Sequence, residues 1–268
     1  ASSALKKIEK LDSKHHLQIF DIFFFKIKIK LSPNFVTKVR AYKFTPISAP
    51  HGVVIKIFHL DHNQACAFKM NPKEIILDFG HGGHDTGAKY GEIYEKDIVR
   101  AVGLKLAKIL TQQGYVVHLT RTGDEFVPLD MRTYFANLYT NASLFISLHA
   151  NHAHKSEVTG IETHRLDCDL LRNLELGHLV TCYDRYNLDL ARAIHTQLMS
   201  VAKGYDTVDR KIKRSVSQVL LGVEVPAVLI ELGFLSNPQE AQLLNTPAYQ
   251  WHLAQGISKG VSSYMLAV

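Results

Sequence analysis

With 268 residues, 46% of them hydrophobic and 21% charged, the chain can bury a substantial core, which argues against disorder. No repeat of about 20–50 residues is present, so a solenoid is excluded. The net charge of +6 and pI near 9.1 admit an anionic partner such as an acidic polymer or a membrane surface. No block of five or more like charges argues for nucleic acid, and none is expected as a partner.

Residues 1–72 differ in texture from the rest. Phe25 to Leu31 alternates apolar and basic residues with period two, as a strand with one buried face does. Val53 to Phe58 reads as a second strand, and Pro33, Pro46, Pro50 and Gly52 punctuate between them. A small β-rich element is therefore expected, its lysines either a solvated edge or a patch for an anionic polymer. Ser3-Ala4-Leu5-Lys6 matches S-x-x-K, but no S-D-N or K-T-G accompanies it, and it receives no role. The opening Ala-Ser-Ser-Ala, without Met, fits either a processed or a trimmed start.

From residue 73 strand and helix alternate at the rhythm of an α/β domain. Ile75-Ile76-Leu77 is a short buried strand running into a glycine-rich turn that carries His81. A helix opens at Glu95, with Ile98, Val99, Val102, Leu106, Ile109 and Leu110 at helical spacing and Gly114 as its stop. Tyr115 to Arg121 is the next strand, giving a right-handed parallel β-α-β unit. Pro128 to Tyr139 forms a helix, and Leu144 to Leu148 forms a strand followed by His149-Ala150-Asn151.

Thr159 to Leu166 reads as a strand, and Asp167 to Tyr186 as a polar, aperiodic stretch before a helix from 188 to 202. Val216 to Leu221 and Pro226 to Leu232 read as further strands, the second apolar throughout, as a central strand covered on both faces would be. Short and long helices follow at 238 and at 247–267. The expected fold is a mostly parallel buried sheet flanked by helices, in a domain at 73–268 that follows the β-rich region at 1–72. Nothing is apolar for eighteen residues, so no transmembrane segment is expected. Cys66, Cys168 and Cys182 lack CxxC spacing, which argues against a thiolate zinc site; a Cys168–Cys182 bridge stays open.

His81 and His149 each follow a buried strand, and Glu95 begins the helix after the first. Two imidazoles and a carboxylate suit zinc with a fourth position left for water. They lie 14 and 54 residues apart, so only the fold can bring them together. The alternative is that each histidine is structural. Glu231 ends the apolar strand, where a carboxylate is costly unless it faces a polar cleft or a cation. It reads either as a cap on the following turn or as a general base that moves a proton from water to a leaving amine.

Six ordered stretches carry a resemblance: Ile76 to Gly83, Glu95-Lys96-Asp97, Leu119-Thr120-Arg121, Ser147 to Asn151, Gly160 to Thr163, and Pro226 to Pro238. Together they resemble the zinc-dependent N-acetylmuramoyl-L-alanine amidases of bacterial cell-wall turnover, over about residues 73–266. The resemblance implies hydrolysis of the amide between the lactyl group of N-acetylmuramic acid and the first L-Ala of the stem peptide. Peptidoglycan would be the partner, and the location would be extracytoplasmic.

By that likeness the zinc ligands fall on His81, Glu95 and His149, and the catalytic glutamate on Glu231. Phe79 stands where the family usually has Pro, and His84 where Lys is common. Asp97 and Asn151 are candidate partners of the ligands. Arg121, Arg132, Asn151 and Lys213 are candidate substrate contacts, the arginines alternatively pairing with scaffold acids. Arg210, Lys211, Lys213 and Arg214 resemble the family's substrate-side loop, or form a plain basic loop. Gly80, Gly82 and Gly83 would let backbone and substrate approach the metal.

Some relatives carry an inserted helix that plugs the site until an activator removes it. The segment between Leu166 and Leu188 holds only about twenty residues, so an open site is expected; inactivity relieved by deleting 168–184 would contradict this. Two other readings remain: a non-catalytic wall-binding relative, which would lack a ligand or the catalytic carboxylate, and a zinc peptidase cutting another stem-peptide bond.

Overall fold

The computed structural model describes strands within 17–56 and residues 74–267 apart from 140–141 and 174–182. Its contacts divide the chain into two units, Ala1–Phe68 and Lys69–Val268. In the first, β1 (Leu17–Ile22) pairs antiparallel with β2 (Ile27–Leu31), and β3 (Lys43–Ala49) pairs antiparallel with β4 (Gly52–Lys56). The strands read from 25–31 and 53–58 correspond to β2 and β4. Phe25, Lys26, Ile57 and Phe58 lie outside the described residues.

The second unit is built on a six-stranded sheet. Its strands are β5 (Glu74–Phe79), β8 (Val116–Leu119), β9 (Leu144–Asn151), β10 (Ile161–Leu166), β11 (Asp209–Ser215) and β12 (Ala227–Phe234). They lie in the order β11-β10-β12-β9-β5-β8, with every pair parallel except β10–β12. A two-residue hairpin pair, β6 (Lys89–Tyr90) and β7 (Ile93–Tyr94), stands apart.

One face of the sheet is the core. Ile75, Leu77 and Phe79 of β5, Leu144, Ile146 and Leu148 of β9, and Val228, Ile230 and Leu232 of β12 all point into it. Three helices cover that face: α1 (Glu95–Gln112), α4 (Asp184–Ala202) and α6 (Pro247–Ala267). Their apolar stripes, such as Ile98-Val102-Leu106 and Leu190-Ile194-Leu198, recur every three or four residues. Alternation sends Asp78, Ser147, His149, Glu162 and Glu231 to the opposite face. That second face is polar at the carboxyl ends of β9 and β12, and there the site lies.

The remaining helices are α2 (Leu129–Leu138), α3 (Cys168–Asn173) and α5 (Pro238–Leu244). Asn237 caps α5 by accepting from Glu240 N, with Pro238 at its first turn. Three differences from the sequence reading stand out. The apolar run 216–221 is not a strand: Leu220 and Leu221 close turn hydrogen bonds onto Ser217 and Gln218, and Val219 and Leu220 are buried as a turn. The strand lies earlier, in the basic stretch Asp209–Ser215, where charged residues suit a sheet edge. The stretch 167–186 also holds α3, and α4 begins at Asp184 rather than 188.

Candidate metal centre

The loop between β5 and α1 is tied to the neighbouring strand β9 and to the first residues of the helix. Gly80 N donates to Leu148 O, and Glu95 N and Lys96 N, at the helix mouth, donate to Ala88 O and Thr86 O. Since Tyr94 offers α1 no side-chain cap, these loop carbonyls take its place. His81 has φ of 59°, a left-handed conformation uncommon for His. Arg132 Nη2 donates to its carbonyl at 2.7 Å, and Gly82 and Asp85 exchange backbone bonds just beyond it. So held, the imidazole turns back towards Glu95.

His81 Nε2 stands 3.1 Å from Glu95 Oε1, and His149 Nδ1 stands 2.9 Å from the same oxygen. The two rings meet edge to face, centroids 5.0 Å apart. Ala150 N also donates to Glu95 Oε1, and Ala88 N donates to Oε2. Room is kept by glycines: a Cβ on Gly80 would lie 2.6 Å from His149 Nε2, and one on Gly87 2.6 Å from His81 Cδ2. Potential ligand atoms of His81, Glu95 and His149 all lie within 4.8 Å of one another. Two converging imidazole nitrogens and one carboxylate oxygen are a donor set that fits a divalent metal ion.

Electrostatics follow from the same contacts. Burial alone would raise the Glu95 carboxyl, but the two imidazoles hold it well below the usual range. Burial disfavours charge on His149, yet Glu95 lifts it to about 8, and His81 is raised by the same carboxylate. Glu231 is Cα partner to His149 across β12 and β9, which puts both side chains on the polar face. Burial pushes its carboxyl up to about 7, and among the described residues Oε2 has no hydrogen-bond partner. A buried carboxylate oxygen without a partner, on the sheet face that carries His149, is costly unless something outside the described side chains satisfies it.

The chain matches the N-acetylmuramoyl-L-alanine amidase family (Amidase_3) over residues 75–263. It is 32% identical to the germination-specific N-acetylmuramoyl-L-alanine amidase of Bacillus subtilis, over 73% of this chain and 81% of that protein. The N-acetylmuramoyl-L-alanine amidase AmiA of Escherichia coli is 30% identical over 76% of this chain and 80% of its own length. The crystal structure of an N-acetylmuramoyl-L-alanine amidase from Clostridium difficile 630 superposes with a TM-score of 0.64 at 32% identity, covering 73% of this chain and 97% of that one. The chain belongs to this amidase family. The His-Glu-His group able to bind a metal, read from three separate motifs, is thus found together in a family of cell-wall amidases.

Other residues singled out in this amidase have varied settings. Arg121 and Arg132 are each 2% exposed. Arg121 donates to the carbonyls of Phe79, Gly80, Lys96 and Gly123. Arg132 pairs with Asp78 and donates to the carbonyls of Val127, Phe79 and His81. Both guanidiniums therefore grip the loop that carries His81. Asn151 accepts from His152 N, which shapes its own turn. Lys213 is exposed on β11, in register with His164.

His84 is exposed, rests on Phe126, and is absent from the metal-binding group. Asp97 is also exposed, and among the described residues no hydrogen bond joins it to His81, Glu95 or His149. The carboxylate beside the ligands is instead Asp85, whose Oδ2 stands 2.8 Å from His81 Nδ1. Its signal was its place four residues after His81 in the same turn. Cys168 is buried, whereas Cys66 and Cys182 lie outside the described residues, as does Glu175 in the segment weighed as a plug.

Proposed function

We propose that the chain is a zinc-dependent N-acetylmuramoyl-L-alanine amidase acting on peptidoglycan outside the cytoplasm. His81, Glu95 and His149 would hold the metal, and Glu231 would act as general base and then general acid. The observation that carries this reading is the convergence of three candidate ligand atoms on the sheet face of Glu231, whose Oε2 is buried and unpartnered among the described residues. When bound, zinc supplies Lewis acidity to the scissile carbonyl and to the attacking water.

Glu231 takes the proton of that water, a role its carboxylate has from its place beside His149 on the polar face of the sheet. The new C–O bond forms at the lactyl carbonyl. Glu231 then returns the proton to the departing nitrogen as the C–N bond breaks, leaving a lactyl carboxylate and a stem peptide with a free L-Ala amine. Asp85 fixes the ring orientation of His81, so that Nε2 faces the cluster. A cleft lined by His81, His149, Phe126, Pro128, Leu129 and Gln218 opens beside the ligands and would receive the substrate.

Purified muropeptides incubated with the protein, with and without chelator, test this reading by mass analysis of the fragments. Release of intact stem peptide is expected, abolished by chelation and reduced about 10²–10⁴-fold in Glu231→Ala. Cleavage at a D-Ala bond alone would make the protein a peptidase instead.

A further inference from the structure

A second polar assembly lies on the same face, one strand beyond Glu231. Glu231 and Glu162 are Cα partners across β12 and β10, so their side chains leave the same side of the sheet. Glu162 is buried and accepts from Arg210 Nε at 2.7 Å. Its other oxygen stands 2.9 Å from His164 Nε2.

Arg210 is held from two further directions. Its guanidinium lies over the ring of Phe234, 5.0 Å from the centroid. The aliphatic stem crosses Gly160, where a Cβ would stand 2.8 Å from Arg210 Cγ. Gly160 is itself fixed by its N–H, which donates to both carboxylate oxygens of Glu240. The Arg210 side chain is nonetheless 34% exposed. Among the described residues, hydrogen bonding engages only Nε and leaves Nη1 and Nη2 without partners.

A basic residue that serves only solubility has no need of a buried carboxylate, an aromatic face and a glycine to orient it. A guanidinium anchored at Nε with its terminal pair unengaged is arranged for a planar anion. Lys213, exposed on the same strand, adds a second positive charge.

We propose that Arg210 is a specificity-determining residue that binds a carboxylate on the peptide arm of the substrate. This rests on the amidase reading above. Strands lie about 4.8 Å apart, so β11, two spacings from β12, is roughly 10 Å from the strand of Glu231. An extended peptide covers at most about 3.6 Å per residue, which puts the recognised carboxylate about three residues from the scissile amide. A carboxylate presents two oxygens to the two free prongs of the fork, whereas a sugar hydroxyl presents only one.

The test compares soluble muropeptides whose stem-peptide carboxylates are free with the same compounds converted to carboxamides. The wild-type protein is expected to prefer the free acids by about tenfold or more, expressed in KM, as befits a charge-assisted bidentate contact. Arg210→Gln should lose that preference, and Arg210→Lys, which keeps the charge opposite Glu162 but not the fork, should retain only part of it. Thermal melting of each variant separates loss of recognition from loss of fold.

Calorimetric binding of both compound sets to Glu231→Gln protein reads the same preference without turnover. No preference in the wild-type protein, or one that persists in Arg210→Gln, overturns the proposal. Binding of the free acids without cleavage by wild-type enzyme would overturn the amidase reading and leave Arg210 as the carboxylate site.

Discussion

Asp78 is the residue on which the metal-site loop depends most. It is fully buried and accepts from Arg132 Nη1, Thr120 Oγ1 and Ser147 Oγ at 2.6–2.8 Å. Burial would raise its carboxyl, but Arg132 and the two hydroxyls hold it below the usual range. Arg132 in turn grips the carbonyl of His81, so the pair links the sheet to a left-handed ligand. Asp78→Asn removes the charge and leaves Arg132 uncompensated in the interior. About 3–5 kcal/mol of stability should be lost, measured by urea unfolding at pH 7. Because the folded carboxyl is depressed, its contribution is fully present above the unfolded value of about 3.9 and fades as pH falls through the folded one. The gap between wild type and variant should therefore hold from pH 7 to 5 and narrow below 4. A gap that widened on acidification would refute the pairing.

At the scale of elements, the packing of α1 on β5 is set by one close approach. Phe79 is fully buried, and a Cβ on Gly103 of α1 would stand 2.6 Å from its ring Cζ. Gly103→Ala should thus destabilise by about 1–3 kcal/mol through overpacking, despite the better helix propensity of Ala. Combining it with Phe79→Val should cost less than the sum of the single changes, because the smaller side chain frees the space. Additive losses in thermal melts would show that the two do not share that space. The fold's central strands and main helices were legible in the sequence because β5, β9 and β12 are nearly continuous apolar runs and α1 has an unbroken stripe. The edge strand β11 was not, since its basic residues carry no apolar period and the buried run after it folds as a turn. His81, Glu95 and His149 could be picked out by their places at strand and helix ends. Arg132 could not be assigned to Asp78, 54 residues away, because only the folded sheet joins them.

Over the whole molecule the positive charge is unevenly shared. Residues 1–68 hold eleven Lys and Arg against four Asp and Glu, whereas 69–268 hold twenty against twenty-one. The net +6 is therefore carried entirely by the first unit, while the second, which contains the whole metal cluster, is close to neutral. Among the described residues, the buried core runs from Ile75 to Tyr264, all in the second unit. From this distribution of charge we infer that chemistry belongs to 69–268 and long-range attraction to an acidic wall polymer to 1–68. A protein comprising 69–268 should then hydrolyse soluble muropeptides at a rate within a few-fold of the full chain. Its retention on insoluble wall material should be weaker at low salt and nearly independent of ionic strength. The full chain should instead release as salt rises and the screening length drops to about 8 Å near 0.15 M. Equal retention of the two proteins, with the same salt dependence, would place the wall contacts in the second unit and leave the charge of the first without this role.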